Sequence, residues 1–552
     1  MDYYIGVDVG TSSARAAIVD ANGSILGQGV VSIQVINSQT NHFEQSSNDI
    51  WSSVSKAIRL ALEESKIDVG QLKGIGFDAT CSLVALDENY NPISVSATTN
   101  SESENIIMWM DHRAEEQAKR LTNSNHQILK RTGGSISPEM SVAKVIWLYE
   151  NNSRYHQIKH LMELPEYLTW KATGCDRRSL NSLVCKWGYD VNQPMGWHND
   201  FWKIGIKESD LDNLYSKCGG FDPSTKQPNT SKPGEPIGNG LSTQAALDFG
   251  LSENLAGLAV GGSVIDAYAG AIATFGEVGA NMKELSTKMA IICGTSSCHI
   301  VMEDSSHFTK GVWGPYPDVI LQDFYCLEGG QTLTGKAIEI FLNHHPSYES
   351  FKSKCSAKQL DVFEELNKLV LKLNDHHHPA LMTRNVHVLP DCHGNRSPIS
   401  DSTIRGSLIG ISFEQASPNE VPQSLVIYYY ATLLGVCYGT RHIIKSLNTT
   451  INKLCLSGGL ASNRLFAQSL ADVTGCNVVL PKVDSNSAVL LGAAMCGYAA
   501  HKGGLWDAMI AMSGKGEQFV PNQTVESFHA AKYLVFLKLY EDQASYRLIM
   551  DA

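Results

Sequence analysis

The chain opens on a strand pattern. In Tyr4–Val9, Ile5, Val7 and Val9 alternate with Gly6 and Asp8, and a period of two predicts a β-strand. The turn Gly10-Thr11-Ser12-Ser13 follows, then a second strand over Ala14–Val19, an Asn22-Gly23 hairpin signal and a third strand from Ile25. This order is a strand–turn–strand meander, not a βαβ unit. The period then changes. Ile50, Val54, Ala57, Ile58, Ala61 and Leu62 fall at helical spacing, with Ser47 or Asn48 as the cap.

The opening pattern recurs in the second half. Met289–Cys293 predicts a strand, Gly294-Thr295-Ser296-Ser297 repeats the first turn, and His299–Met302 predicts the returning strand. The repeated context implies two domains, each with a phosphate-sized turn, divided near 251–259 into 1–258 and 259–552. Residues 222–238, rich in Pro, Gly, Ser and Lys, read as a surface loop. Residues 336–385 read as a helical insertion with a polar end at Asn374–His378. The longest apolar stretch, Ser424–Thr440, contains Tyr428, Tyr429, Tyr430 and Gly435 and meets Arg441. It predicts a buried helix rather than a membrane span.

Composition narrows the class. Of 552 residues, 43% are hydrophobic and 18% charged, which supplies full cores and excludes global disorder. Forty-four basic against fifty-six acidic residues leave −12, the wrong sign for a general nucleic-acid binder. Thirteen cysteines contain no CxxC pair, and no basic region followed by an apolar run opens the chain. Reduced thiols in a cytoplasmic protein follow, with no membrane partner.

Four segments carry candidate chemistry. At the first turn, backbone N–H groups and the hydroxyls of Thr11 and Ser12 suit phosphate oxygens. Asp8, at the strand's end, suits a hydrated Mg²⁺, and Arg15 adds positive charge. An ordinary hairpin with a solvated Asp has the same local sequence. In Val260–Ala267, Asp266 stands among small and apolar residues, as a general base in a partly dry cleft or as a helix cap. Leu456–Asn463 reads as a strand, the pair Gly458-Gly459 and a helix from Ser462. It leaves room for a flat ring or sugar, or forms a plain tight turn. Trp109 beside Asp111-His112-Arg113 suits a sugar pocket, or a helix start capped by Asp111.

Two further patterns are set aside. Gly330–Lys336 fits the first seven positions of a P-loop, but Ala337 stands where a metal-binding hydroxyl is needed. A glycine-rich helix start at Gly335, lining a nucleotide cleft, is the preferred reading. The histidines at 344–345 and 376–378 lack zinc-ligand spacing and read as solvated loop.

Together these stretches resemble the FGGY carbohydrate kinase family, over essentially the whole chain and in the expected order. Asp8–Ser13 resembles its first phosphate motif, Gly294–Ser297 its second, Leu456–Gly459 its adenosine motif, and Gly261–Asp266 its catalytic segment. Lys144-Val145-Ile146-Trp147-Leu148 matches the core of a family signature. Glu139 departs from that signature and Ile427 from a second one near 406–427, both at positions expected to carry no chemistry. Gly76–Cys81, Trp109–Arg113 and Cys185–Tyr189 are most similar to the ribulokinase-type pentulose kinases.

The resemblance implies an α/β protein of two actin-like, ribonuclease H-like domains around a catalytic cleft. Sugar would sit mainly on the first domain and ATP mainly on the second. It implies Asp266 as general base, and Asp8 and Asp266 as Mg²⁺ ligands. Gly10, Thr11, Ser12, Arg15, Gly294, Thr295, Gly335, Gly458, Gly459 and Asn463 would take ATP. Asp78, Cys81, Trp109, Asp111, Lys186, Asp266 and Glu328 would take the sugar, D-ribulose first. The alternatives are a kinase for xylulose, L-ribulose or ribitol, an actin-like ATPase, and a catalytically dead sugar sensor. The oligomeric state stays open, a homodimer among the options.

Overall fold

Each half of the chain is built on a sheet that begins with a tight hairpin. The computed structural model describes residues 1–276, 281–373, 377–412 and 421–551. In the first sheet, Tyr3–Val9 lies between the antiparallel strand Ser13–Asp20 and the parallel strand Leu72–Ala79. Ile25–Ser32 extends it on one side, and Ala259–Val260 on the other. The second sheet repeats the plan. Lys288–Cys293 lies between the antiparallel Ser297–Glu303 and the parallel Lys453–Ser457. Tyr325–Gln331 and Trp313–Pro317 continue one edge, Asn477–Leu480 and Glu517–Phe519 the other. The four-residue turn repeat in the sequence thus marks a repeat of whole ribonuclease H-like units.

The division at 258/259 does not follow the sheets. Ala259–Val260 and Val264–Ile265 both pair with Leu72–Ala79, and the chain leaves the first sheet only where the helix Asp266–Phe275 begins. A late helix, Ala488–Lys502, then returns to lie on that sheet. Close approach is the reason for glycine at Gly6 and Gly76. A Cβ on Gly6 would stand 2.0 Å from the Leu490 carbonyl oxygen, and one on Gly76 2.0 Å from that of Ala493. Gly6 and Asp8 share a face, as the alternation predicts, but the returning helix buries it. The helices Asp266–Phe275 and Ala488–Lys502 pack on each other and lace the two units together.

Local expectations fare unevenly. The first helix is Ser47–Ser65, capped one residue earlier than expected, by Ser46, whose hydroxyl accepts from the Asp49 N–H at 3.3 Å. The apolar stretch becomes the buried helix Gln423–Ser446. Among the described residues no helix is long and apolar enough to cross a membrane. No disulfide joins any of the thirteen cysteines among the described residues. The insertion is helical over Gly335–Asn343, Tyr348–Ala357 and Val362–Lys372. Asn374–His376 and residues 413–420 of the second signature lie outside the described residues. The solvated-loop reading fails for two histidines. His345 is buried against the Ser424 hydroxyl at 3.2 Å, and His378 lies 3.2 Å from Asp472.

Candidate active site

Strand register gathers the charged groups. Arg15, Asp8 and Asp78 are cross-strand neighbours on three adjacent strands, Asp8 opposite Arg15 on one side and Asp78 on the other. Val264–Ile265 pairs with Asp78–Ala79, which brings Asp266 to the same sheet end. Arg15 Nε donates to Asp8 Oδ2 at 2.6 Å, and Arg15 NH1 donates to the Asn486 carbonyl at 3.0 Å. Arg15 therefore ties the first turn to the second half of the chain. Asp266 is the first residue of its helix, with Oδ1 accepting from the Ala267 N–H at 2.7 Å. The cap residue is Ile265, with no side-chain cap bond, so the helix-cap reading of Asp266 falls. Burial, then the charge of Asp8, pushes the Asp266 carboxyl up to about 7.

Asp78 sits behind this row. It is fully buried, and neither of its oxygens has a donor. Burial first, then Asp8 and Asp266, push its carboxyl well above the usual range. It does not line the cavity, so direct sugar contact is not its place.

A cavity of about 300 Å³ opens between the two turns. Of the residues singled out from sequence, Asp8, Gly10, Thr11, Arg15, Cys81, Trp109, Lys186, Asp266, Gly294 and Glu328 line it. The turns are closed alike. Gly10 N–H donates to the Ser13 carbonyl at 3.0 Å, and Gly294 N–H to that of Ser296 at 2.8 Å. Trp109 Nε1 donates to Thr11 Oγ1 at 3.0 Å, joining the indole to the first turn. Ser12 and Thr295 are exposed and stand outside the lining, where Ser296 takes part instead.

Asp111, expected to take the sugar, has a fully buried side chain and is not among the residues lining the cavity. It pairs with Arg113 at 2.7 Å and accepts from the Phe43 N–H at 2.6 Å, while Arg113 also holds Glu44 at 2.9 Å. This closed triad fixes the segment carrying Trp109. Lys144 Nζ secures the same segment by donating to the carbonyls of Met108 at 2.8 Å and Trp109 at 3.1 Å.

Among the lining residues given no site role from sequence are Thr80, Glu139, Tyr268, Cys298 and Arg396. Tyr268 hydroxyl donates to Glu328 Oε2 at 3.0 Å, and Arg396 pairs with Glu328. The signature departure at Glu139 therefore does touch the cavity. Arg396 sits in the loop segment Gly394-Asn395-Arg396-Ser397-Pro398, and such a cation amid turn residues was the available signal.

The glycine pair lies along the second unit. Gly458 has φ +87°, and a Cβ there would stand 2.4 Å from the Cys293 carbonyl oxygen. Gly459 is open, since its Cβ would meet only Asn486 Oδ1 at 3.5 Å. Asn463 is committed locally: its Oδ1 caps the helix Arg464–Thr474 and its amide donates to the Tyr429 hydroxyl. Gly335 packs on the second turn, its N–H donating to the Gly294 carbonyl at 3.2 Å. Lys336 turns outward to Glu339 at 2.8 Å, which removes the P-loop reading. Gly459→Val is expected to raise the KM for ATP about tenfold, within the usual range for overpacking, and to leave the sugar KM within about twofold. Separate titration of the two substrates checks this, and equal losses for both would reject the assignment of Gly459 to the nucleotide side.

Comparisons with known proteins agree with this geometry. The family model for the N-terminal domain of FGGY carbohydrate kinases matches residues 3–187, and that for the C-terminal domain matches residues 289–501. An FGGY carbohydrate kinase domain-containing protein of Homo sapiens is 39% identical over 567 residues, covering 100% of this chain and 98% of the relative. A D-ribulokinase of Saccharomyces cerevisiae is 34% identical over 525 residues, covering 90% of this chain and 72% of the relative. Among solved structures, a ligand-bound xylulose kinase from Lactobacillus acidophilus superposes with a TM-score of 0.76 at 18% identity, over 99% of each chain.

Proposed function

The chain belongs to the FGGY family of carbohydrate kinases, and on that premise we propose that it transfers the terminal phosphoryl group of ATP to O5 of a ketopentose, D-ribulose first. It is a carbohydrate kinase of the ribulokinase-like subgroup. The observation that carries the finer reading is the cavity itself. One wall holds a carboxylate raised to about 7, and the opposite groups, Lys186 and Glu328, suit sugar hydroxyls. The first unit would hold the sugar and the second the nucleotide.

Mechanistically, Asp266 accepts the proton of the attacking primary hydroxyl. A carboxyl poised near neutrality is deprotonated often enough to serve and basic enough to help. The N–H groups of the two turns, with Thr11 and Arg15, position the phosphates in line with that oxygen. The charge balance fits a cation. Asp8 and Asp266 both line the cavity beside the guanidinium of Arg15, and hard oxygen donors suit Mg²⁺. Asp8 and Asp266 would hold it. When bound, Mg²⁺ neutralises charge developing on the phosphoryl oxygens.

The decisive experiment is an ADP-release assay across ketopentoses, pentitols, ketohexoses and glycerol. A pocket built to hydrogen-bond particular hydroxyls leaves buried polar groups unpaired when they are missing. Glycerol is therefore expected to turn over at least about a hundredfold less efficiently than the best pentulose. Glycerol turnover matching that pentulose rejects the reading, and ADP release independent of any sugar would point to an ATPase.

A further inference from the structure

Glu139 and Arg396 line the cavity from opposite halves of the chain, and neither belongs to the phosphoryl-transfer apparatus above. Glu139 stands just before the helix Ser141–Asn151. Its Oε1 lies 3.9 Å from His112 Nε2. Burial pushes its carboxyl up, but His112, Arg396 and Lys186 outweigh that and hold it below the ordinary value. Glu139 is therefore an anion facing the cavity.

Arg396 arrives on the loop between the strands His387–Leu389 and Ser407–Ile409. Its guanidinium stacks on Trp313, with Cζ 4.0 Å from the ring centroid, and pairs with Glu328. Its Nε is buried without an acceptor. Lys186 Nζ lies over the same indole at 4.7 Å. Trp313 thus contacts two cations, one from each half of the chain.

The two sides of this end differ in kind. A carboxylate only accepts hydrogen bonds, while a guanidinium and an ammonium only donate them. A ketopentose carries the matching pair on adjacent carbons. Its C1 hydroxyl donates, and its C2 carbonyl only accepts. With O5 at Asp266, C1 and C2 fall at the other end of the sugar. We propose that Glu139 receives the C1 hydroxyl and that Arg396, beside Lys186, donates to the C2 carbonyl, so that the pair selects ketopentoses over pentitols. This inference rests on the pentulose-kinase reading. A pentitol carries a second O–H at C2, whose oxygen can still accept but whose proton finds no acceptor on Arg396 or Lys186.

The test compares kcat/KM for D-ribulose, 1-deoxy-D-ribulose and ribitol in the wild-type protein, Glu139→Gln and Arg396→Lys. The wild-type protein is expected to favour D-ribulose over each analogue at least about tenfold, the effect of one charge-assisted hydrogen bond. Arg396→Lys should narrow the D-ribulose to ribitol ratio about tenfold, and Glu139→Gln the D-ribulose to 1-deoxy-D-ribulose ratio by as much. The KM for ATP and the melting temperature should stay unchanged, since a purely structural role would not alter one substrate ratio alone. Unmoved ratios in both folded variants overturn the proposal and leave the kinase reading standing. Equal wild-type turnover of ribitol and D-ribulose does the same without any variant. No turnover of either sugar overturns both readings.

Discussion

Asp266→Asn is expected to slow turnover at least about a hundredfold while the protein still folds and binds sugar. The structure makes the substitution a clean one. Asp266 opens its helix without capping it, because Ile265 holds the cap position. Among the described residues its side chain accepts a hydrogen bond from the Ala267 N–H at 2.7 Å, and an Asn carbonyl oxygen accepts that bond equally well. What Asn lacks is the capacity to take a proton. General-base contributions are typically about 10²–10⁴-fold, and loss of a metal contact would add to that. The measurements are kcat under saturating sugar and ATP, a sugar titration and a melting curve. Turnover close to wild type, with the melting temperature unaltered, would remove Asp266 from the reaction and leave Asp8 as the carboxylate to examine.

How much of this was legible in the sequence depended on whether the controlling contacts were local. The two hairpins were visible because strand alternation and a four-residue turn are short-range features, and they led to both sheets. Asp8 was noticed at the end of such a strand, and Asp266 as a lone carboxylate among small and apolar residues. Asp111 was misread because local order does not tell whether an aspartate beside an arginine faces a cavity or closes on its neighbour. Here Arg113 and the Phe43 N–H occupy it completely.

Longer-range contacts hid the rest. The sheet boundary at 258 failed because Leu72–Ala79 recruits strands from 259–265, and Ala488–Lys502 packs on them from much later in the chain. Gly6 and Gly76 are the local traces of that packing, yet nothing near them in sequence names the helix that needs them. Arg396 was invisible for the same reason. Its loop reaches the cavity only because Trp313 and Glu328, from two other strands, hold the guanidinium there. Glu139 was noticed as an irregularity in a signature, and its importance came from the cations opposite it.

Asp8→Asn and Asp78→Asn are expected to differ sharply, although their Cα positions are partners in one strand pair. Asp8 lines the cavity and carries the charge that Arg15 grips at 2.5 and 2.6 Å. Neutralising it frees Arg15 from its carboxylate partner at the first turn and removes a candidate metal ligand. Kcat/KM for ATP should fall at least about a hundredfold, as when one preorganised electrostatic group is lost from an active site, and half-maximal rate should require more Mg²⁺. Asp78 is fully buried and is not among the residues lining that cavity, and burial, then Asp8, push its carboxyl well above the usual range. Asn reproduces a neutral group of that size with one donor to offer Asp8. Its kcat/KM should therefore fall by less than about tenfold, with the Mg²⁺ requirement unchanged. Steady-state kinetics at several Mg²⁺ concentrations separate the two. Equal losses in both variants would mean that the carboxylates act as one unit and that burial does not divide their roles.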